Sequence, residues 1–226
     1  MRNTMDLTVA VIAKQCLPGR VKTRLSPPLT REDAAALAQL SLSRTLDTVR
    51  SLPARHRLLV MEGTPGRRDA ERFTVVPQAS GDLAERLAAI CDAVSGPLLI
   101  IGMDTPQLSR NHLAPLLQDW SSAAPCHAAW MGPATDGGFW ALALRQPDGA
   151  LIRGVPMSTG ATGSRQLRRL SGAGLSTGLL PELRDMDDFG DALQIAAQIP
   201  DTDFSYAVGE AEGRLDGSLL NAGAVR

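Results

Sequence analysis

Four basic side chains, Lys14, Arg20, Lys22 and Arg24, crowd into the stretch AKQCLPGRVKTRLSPPLT that follows an apolar run at residues 7–13. The run is partly β-branched and ends at a Pro/Gly loop, the pattern of a strand buried on both faces. A loop after such a strand lies on the rim where α/β proteins bind ligands, so cations grouped there ask for an anion. Gly19 lets main-chain N–H groups approach a ligand, and Lys14, Lys22 and Arg24 can neutralise phosphate oxygens that the next helix start also attracts. The plain alternative is a solvated basic loop. No GxxxxGK followed by Ser or Thr occurs, and no GxGxxG, so neither a Walker-type ATPase nor a Rossmann dehydrogenase is supported.

Carboxylates supply the complementary chemistry. Asp104 closes the apolar run PLLIIGMD, which puts it on the same rim, where it can hold Mg²⁺ bridging a nucleotide's phosphates. Asp185 and Asp187 in LRDMDD form a second acidic group just before a helix. Magnesium is usually held by one or two carboxylates plus substrate phosphates, so Asp104 and a second Asp meeting above the sheet would suffice, while helix capping explains at least one of the group. In GPATDGGFW, Asp136 could take a sugar hydroxyl or an acceptor proton, and Gly137 and Gly138 permit close approach of a substrate. Asp-Gly is also a strong hairpin turn, and the two roles are compatible. Ser158 and Thr159, in GVPMSTGATGSRQ, suit hydroxyl contacts to a substrate or an ordinary helix start.

Other reactive types make weaker patterns. His56, His112 and His127 lack metal-site spacing, and no Ser sits in GxSxG. Cys16 stands beside cations that would lower its pKa, yet has no base nearby in sequence, which speaks against nucleophilic catalysis. The other cysteines, Cys91 and Cys126, form no CxxC with it, as expected of reduced thiols in a reducing compartment. Trp130, Phe139 and Trp140 read as packing groups, with one ring free to line an acceptor pocket.

The elements that must position these residues are legible as an alternation of strands and helices. After the first strand, Thr30 is an N-cap for a long helix to Pro53, with Glu32 and Asp33 in its first turn. RLLVME and FTVVPQ read as strands, 82–94 as a helix, PLLIIGMD as a strand, and 109–120 as a helix capped by Ser109. HAAWMGP and GGFWALALR read as strands flanking PATDG, 160–170 as a helix, LSTGLLPEL as an edge strand or loop, and 187–199 as a helix. This predicts a single α/β domain over 1–208: a mostly parallel central sheet with an antiparallel strand or hairpin and helices on both faces. The Gly-rich residues 209–226 read as a loose tail.

With 226 residues, net charge −1 and pI about 6.3, the chain can bury one core and has a basic loop rather than a nucleic-acid-binding surface. No run is long enough to span a membrane, and no signal-peptide pattern opens the chain, so a cytoplasmic protein is expected. A homodimer is left open.

Taken together, AKQCLPGRVKTRL, QASGDLAERL, IGMDTPQLS with GPATDGGFW, and LRDMDDFGDAL resemble, in order, the rSAM/selenodomain-associated transferases. That family is similar to 2-phospho-lactate guanylyltransferases and, more remotely, to molybdenum-cofactor guanylyltransferases. The resemblance runs from about residue 7 to residue 199 and implies the GT-A nucleotide-diphospho-sugar transferase fold. It implies that Lys22 and Arg24 touch nucleotide phosphates, with Lys14 and Gly19 shaping the loop. Gln78, Asp82 and Arg86 would lie near base or ribose. Asp104 and Asp187 would bind Mg²⁺ or Mn²⁺, and Asp136, Gly137 and Gly138 would face the second substrate. The chain departs from the family pattern at Cys16, at Ala84, and at Asp188-Phe189-Gly190, which replaces Thr-Pro-Glu.

The residues themselves bear on the reaction. Nucleotidylyl transfer from a nucleoside triphosphate to a phosphorylated small-molecule acceptor needs cations around the triphosphate and a metal to carry developing charge. Lys22, Arg24 and Lys14 meet that need, which favours this reading. Glycosyl transfer from an NDP-sugar commonly uses a DxD pair, which the chain lacks at Asp104-Thr105-Pro106, although Asp136 could then serve as base. A non-catalytic nucleotide-binding regulator is a third reading.

Overall fold

The structure is a computed structural model that describes residues 4–223, with side chains to residue 215. Seven strands form one sheet in the order β3-β2-β1-β4-β6-β5-β7. They are β1 (Met5–Lys14), β2 (Ala54–Glu62), β3 (Thr74–Pro77), β4 (Leu98–Gly102), β5 (Ala129–Pro133), β6 (Phe139–Leu144) and β7 (Thr177–Leu179). Every neighbouring pair is parallel except β4–β6 and β5–β6. The mostly parallel sheet with an antiparallel hairpin is therefore as expected, and one inverted strand, β6, makes the exception.

Alternation along the strands explains why both faces are covered. Val9, Val11 and Ala13 of β1 pack with α1 (Arg31–Ser51) and α3 (Ala114–Ser121), while Ala10 and Ile12 pack with α2 (Leu83–Ala93). Leu170 of α4 (Thr162–Gly172) joins the second face. A third apolar cluster lies outside the sheet, where Leu25 and Leu37 meet Phe189 and Ile195 of α5 (Phe189–Gln198) and Phe204 of α6 (Asp203–Gly223).

The helix starts follow their caps. Thr30 accepts from the Asp33 N–H at 3.0 Å, Asp82 from Glu85 at 3.0 Å, and Asp188 from Asp191 at 2.9 Å. Two expectations need correcting. The helix from Ser109 is broken into a 3-10 turn (Arg110–Leu113) and α3, because Pro115 has no N–H to continue the first ladder. The Gly-rich end is helical through Gly223: Phe204, Val208 and Ala211 recur on one buried face, and Arg214 bonds Asp33 at 2.8 Å. Gly209 and Gly213 sit where nothing lies within 4 Å, so packing on the other face overrides their low helix propensity. Residues 224–226 lie outside the described residues. No described helix is long and apolar enough to cross a membrane.

Candidate functional site

The strand directions decide which loops meet. The carboxyl ends of β1, β2, β3, β4, β5 and β7 share one rim, and the inverted β6 begins there, bringing the turn after Pro133 to the same place. A cavity of about 580 Å³ opens on this rim, walled by residues of β1, β2, β4 and β6, by Gln78 just after β3, and by the loops that carry Asp104, Asp136, Ser158 and Asp187.

Its wall includes two carboxylates from distant segments of the chain, Asp104 and Asp187. Asp104 follows β4 by two residues, and its carbonyl accepts the Met186 N–H at 2.9 Å, tying the loop before α5 to the sheet. Asp187 is held from behind, where Asp191 accepts the N–H groups of Asp187 at 3.1 Å and Asp188 at 3.2 Å and pairs with Arg184 at 2.8 Å. Between them lies the Lys22 ammonium, 3.0 Å from Asp104 Oδ2 and 3.3 Å from Asp187 Oδ1. Burial works to lower the Lys22 pKa, but Asp104 and then Asp187 outweigh it, and the net direction is upward. Arg24 reaches Asp187 at 3.5 Å from a far more exposed position.

The wall toward β2 carries a second ion cluster. Strand register sets Lys14 beside Glu62, and the two pair at 3.1 Å. Arg86 pairs with Glu62 at 2.7 Å and donates to the Gln78 side-chain oxygen at 3.0 Å. The Gln78 amide nitrogen donates into the sheet, to the Ala13 carbonyl at 2.7 Å. Hydrogen bonds from Arg86 and Lys14 hold the Glu62 carboxyl below the usual carboxylate range.

On the opposite wall, Asp136 Oδ1 accepts the Gly138 N–H at 2.7 Å, so the turn and the cavity position coexist. Gly137 has φ +87°, and a Cβ there would collide with the Gly160 carbonyl, while Gly163 N–H donates to Gly137 O at 2.8 Å. The start of α4 is thereby locked onto the turn. Ser158 and Thr159 line the same wall, with the Thr159 hydroxyl 3.2 Å from that of Thr162. Phe139 and Trp140 line the cavity, whereas Trp130 is buried and bonds Asp119.

Of the residues singled out from sequence, Lys14, Arg24, Gln78, Arg86, Asp104, Asp136, Gly138, Ser158, Thr159 and Asp187 line this cavity. Lys22 and Gly137 stand directly behind the wall. Gly19 and Asp82 do not line it: Gly19 makes a left-handed turn, and Asp82 caps α2. Two titratable wall residues carry no assigned role in the sequence reading. Glu62 is legible only as a charge ending a strand; its role depends on register. Asp185 was grouped with Asp187 but given no part, and burial, then Asp104 and Asp136, push its pKa up to about 7. The Cys16 thiol goes against expectation, since burial and then Asp69 and Asp104 push its pKa up to about 12. The neighbouring loop cations do not lower it.

The donor set fits a divalent cation supplied with an anionic ligand. Asp104 and Asp187 already bracket one positive charge, and two carboxylates plus substrate oxygens are a usual magnesium environment. Among the described residues, no three carboxylate, imidazole or thiolate side chains converge to hold an ion by themselves.

The fold matches solved structures. One is a candidate nucleotide-diphospho-sugar transferase of Desulfovibrio desulfuricans G20, with TM-score 0.78 and 20% identity over 93% of this chain and 96% of that one. A CMP:2-keto-3-deoxy-manno-octonic acid synthetase complexed with CTP matches at TM-score 0.53 and 11% identity, over 86% and 98% of the two chains. A Mycobacterium tuberculosis H37Rv protein in complex with manganese matches at TM-score 0.51 and 19% identity, over 85% and 98%. The chain thus has the nucleotide-diphospho-sugar transferase-like fold. No curated protein sequence matches it. A family model does, across residues 45–159 and so just over half the chain: the protein belongs to DUF2064, described as uncharacterized protein conserved in bacteria.

Proposed function

We propose that the protein is a metal-dependent nucleotide-using transferase that joins a nucleoside triphosphate to a phosphorylated small-molecule acceptor and releases pyrophosphate. The observation that carries this reading is the pairing of Asp104 and Asp187 around one cation, with Arg24, Lys14 and Arg86 on the same cavity. Counting Lys22, four cations face the carboxylates of Glu62, Asp104, Asp136 and Asp187 and a fifth, Asp185, that is part-protonated near neutral pH. A triphosphate alone would meet more negative than positive charge, and a divalent ion corrects the balance.

In this reading Asp104 and Asp187 hold Mg²⁺ or Mn²⁺, which draws charge from phosphoryl oxygens when bound. Lys22, Arg24 and Lys14 take the phosphates, while Arg86, with Gln78 holding it and Asp82 capping its helix, borders the base or ribose. Asp136, Gly138, Ser158 and Thr159 face the acceptor. The relatives support the class: one solved neighbour holds CTP and another manganese.

Glycosyl transfer is the second reading, favoured by Asp136, a carboxylate on the wall opposite Lys14 that could deprotonate an acceptor hydroxyl. Calorimetry with the four nucleoside triphosphates and with GDP- and UDP-sugars, each with Mg²⁺ or EDTA, separates the two. Metal-dependent triphosphate binding lost in Asp104→Ala is the expected result. Preference for an NDP-sugar promotes the second reading, and failure of every nucleotide to bind overturns both.

A further inference from the structure

The Lys22 ammonium stands at the point between Asp104 and Asp187 where a metal would have to bind. Its side chain is only 10% exposed, against 79% for Arg24, which touches the same Asp187. Its backbone is left-handed, with φ 45°, a conformation that an L side chain adopts only when its surroundings hold it there. Leu25, fully buried in the third cluster, pins the turn that follows. Lys22 is therefore built into this place, and Arg24 is not.

We propose that Lys22 is the resident cation of the Asp104/Asp187 seat, and that a divalent ion enters this seat only together with a polyphosphate able to receive the displaced ammonium. The inference deepens the metal and nucleotide reading above by naming the ligand the site takes: a metal–polyphosphate complex, not the free ion. Two arguments converge. An ammonium and a divalent ion cannot share two carboxylates at contact distance without strong repulsion. Two carboxylates also leave most of a six-coordinate shell to water, since among the described residues no third carboxylate, imidazole or thiolate converges there, and charged phosphate oxygens hold the ion far better than those waters. The four-carbon stem of Lys22 lets its ammonium swing from the seat to those same phosphates.

Equilibrium dialysis against Mn²⁺, with and without inorganic tripolyphosphate, tests this. Tripolyphosphate equilibrates across the membrane, so only protein-held Mn²⁺ is counted. With Mn²⁺ alone, Lys22→Met is expected to bind about tenfold more tightly than wild type, whereas Arg24→Met, which removes an equal but exposed charge, changes affinity by less than about threefold. Tripolyphosphate is expected to raise Mn²⁺ retention by the wild type about tenfold and to help Lys22→Met less. Equal effects of the two substitutions overturn the proposal, as does wild-type protein binding Mn²⁺ equally well without tripolyphosphate. Lys22→Gln stands in if Lys22→Met fails to fold, and the wild-type comparison needs no variant. If the tightening in Lys22→Met survives Asp104→Asn, the ion lies elsewhere and the seat is misassigned. The Mn²⁺-alone arm involves no nucleotide, so its outcome is separate from nucleotide calorimetry.

Discussion

Asp119 shows how much one side chain can organise. Its carboxylate accepts from the N–H groups of Cys126 at 2.7 Å and His127 at 3.1 Å and from Trp130 Nε1 at 3.1 Å, closing the turn into β5. Burial opposes its charge, but these three donors prevail and its pKa lies below the usual carboxylate range. A depressed folded-state pKa contributes stability above about pH 4 and loses it as pH falls through the folded value. Asp119→Asn is therefore expected to lower stability at neutral pH by about 1–3 kcal/mol and to flatten the loss between about pH 5 and pH 2, as read by urea unfolding. The cysteines make a second test. Burial, reinforced by nearby aspartates, pushes Cys16 and Cys91 up to about 12, whereas Cys126 is exposed. Disulfide-exchange labelling of the native protein near pH 8, mapped by peptide mass, should modify Cys126 first, the partly buried Cys16 much more slowly, and the buried Cys91 only on unfolding. Proximity in sequence misleads at Cys16: cations at Lys14 and Lys22 are bonded to Glu62, Asp104 and Asp187 instead. The charge a thiol feels is set by the fold.

At the scale of elements, the legible part is what local rules govern. Caps at Thr30, Asp82 and Asp188, alternation in β1, and the Asp-Gly turn after β5 all follow from neighbouring residues. Asp104 could be placed on the rim because the end of a buried strand fixes where the next residues emerge. Glu62 could not, since its contact with Lys14 requires knowing that β1 and β2 are parallel neighbours in that register. The lock between Gly137 and the start of α4 was equally hidden, because it joins segments with no common periodicity. It carries a prediction. Gly137→Ala sets a Cβ against the Gly160 carbonyl at a positive φ, so it should destabilise the fold by about 1–3 kcal/mol, measured by thermal unfolding. It should also disturb Ser158 and Thr159, which ride on the displaced loop.

For the whole molecule, the sheet and its two covered faces form one body, and the cluster of α1, α5 and α6 forms an outer layer against it. Glycine content points to weak structure at the end of the chain, whereas Phe204, Val208 and Ala211 recur at helical spacing and bury one face. Phe204 is fully buried, so Phe204→Ala is expected to lower stability by about 3–5 kcal/mol in denaturant unfolding. Met186 and Phe189 belong to that outer cluster, which means Asp187 is carried by the helical layer while Asp104 is carried by the sheet. A ligand gripping both carboxylates would stitch the two layers together. Amide hydrogens of α5 and α6, which contribute no residue to the cavity wall, should then exchange with deuterium more slowly in its presence, making the far end of the chain a reporter of occupancy.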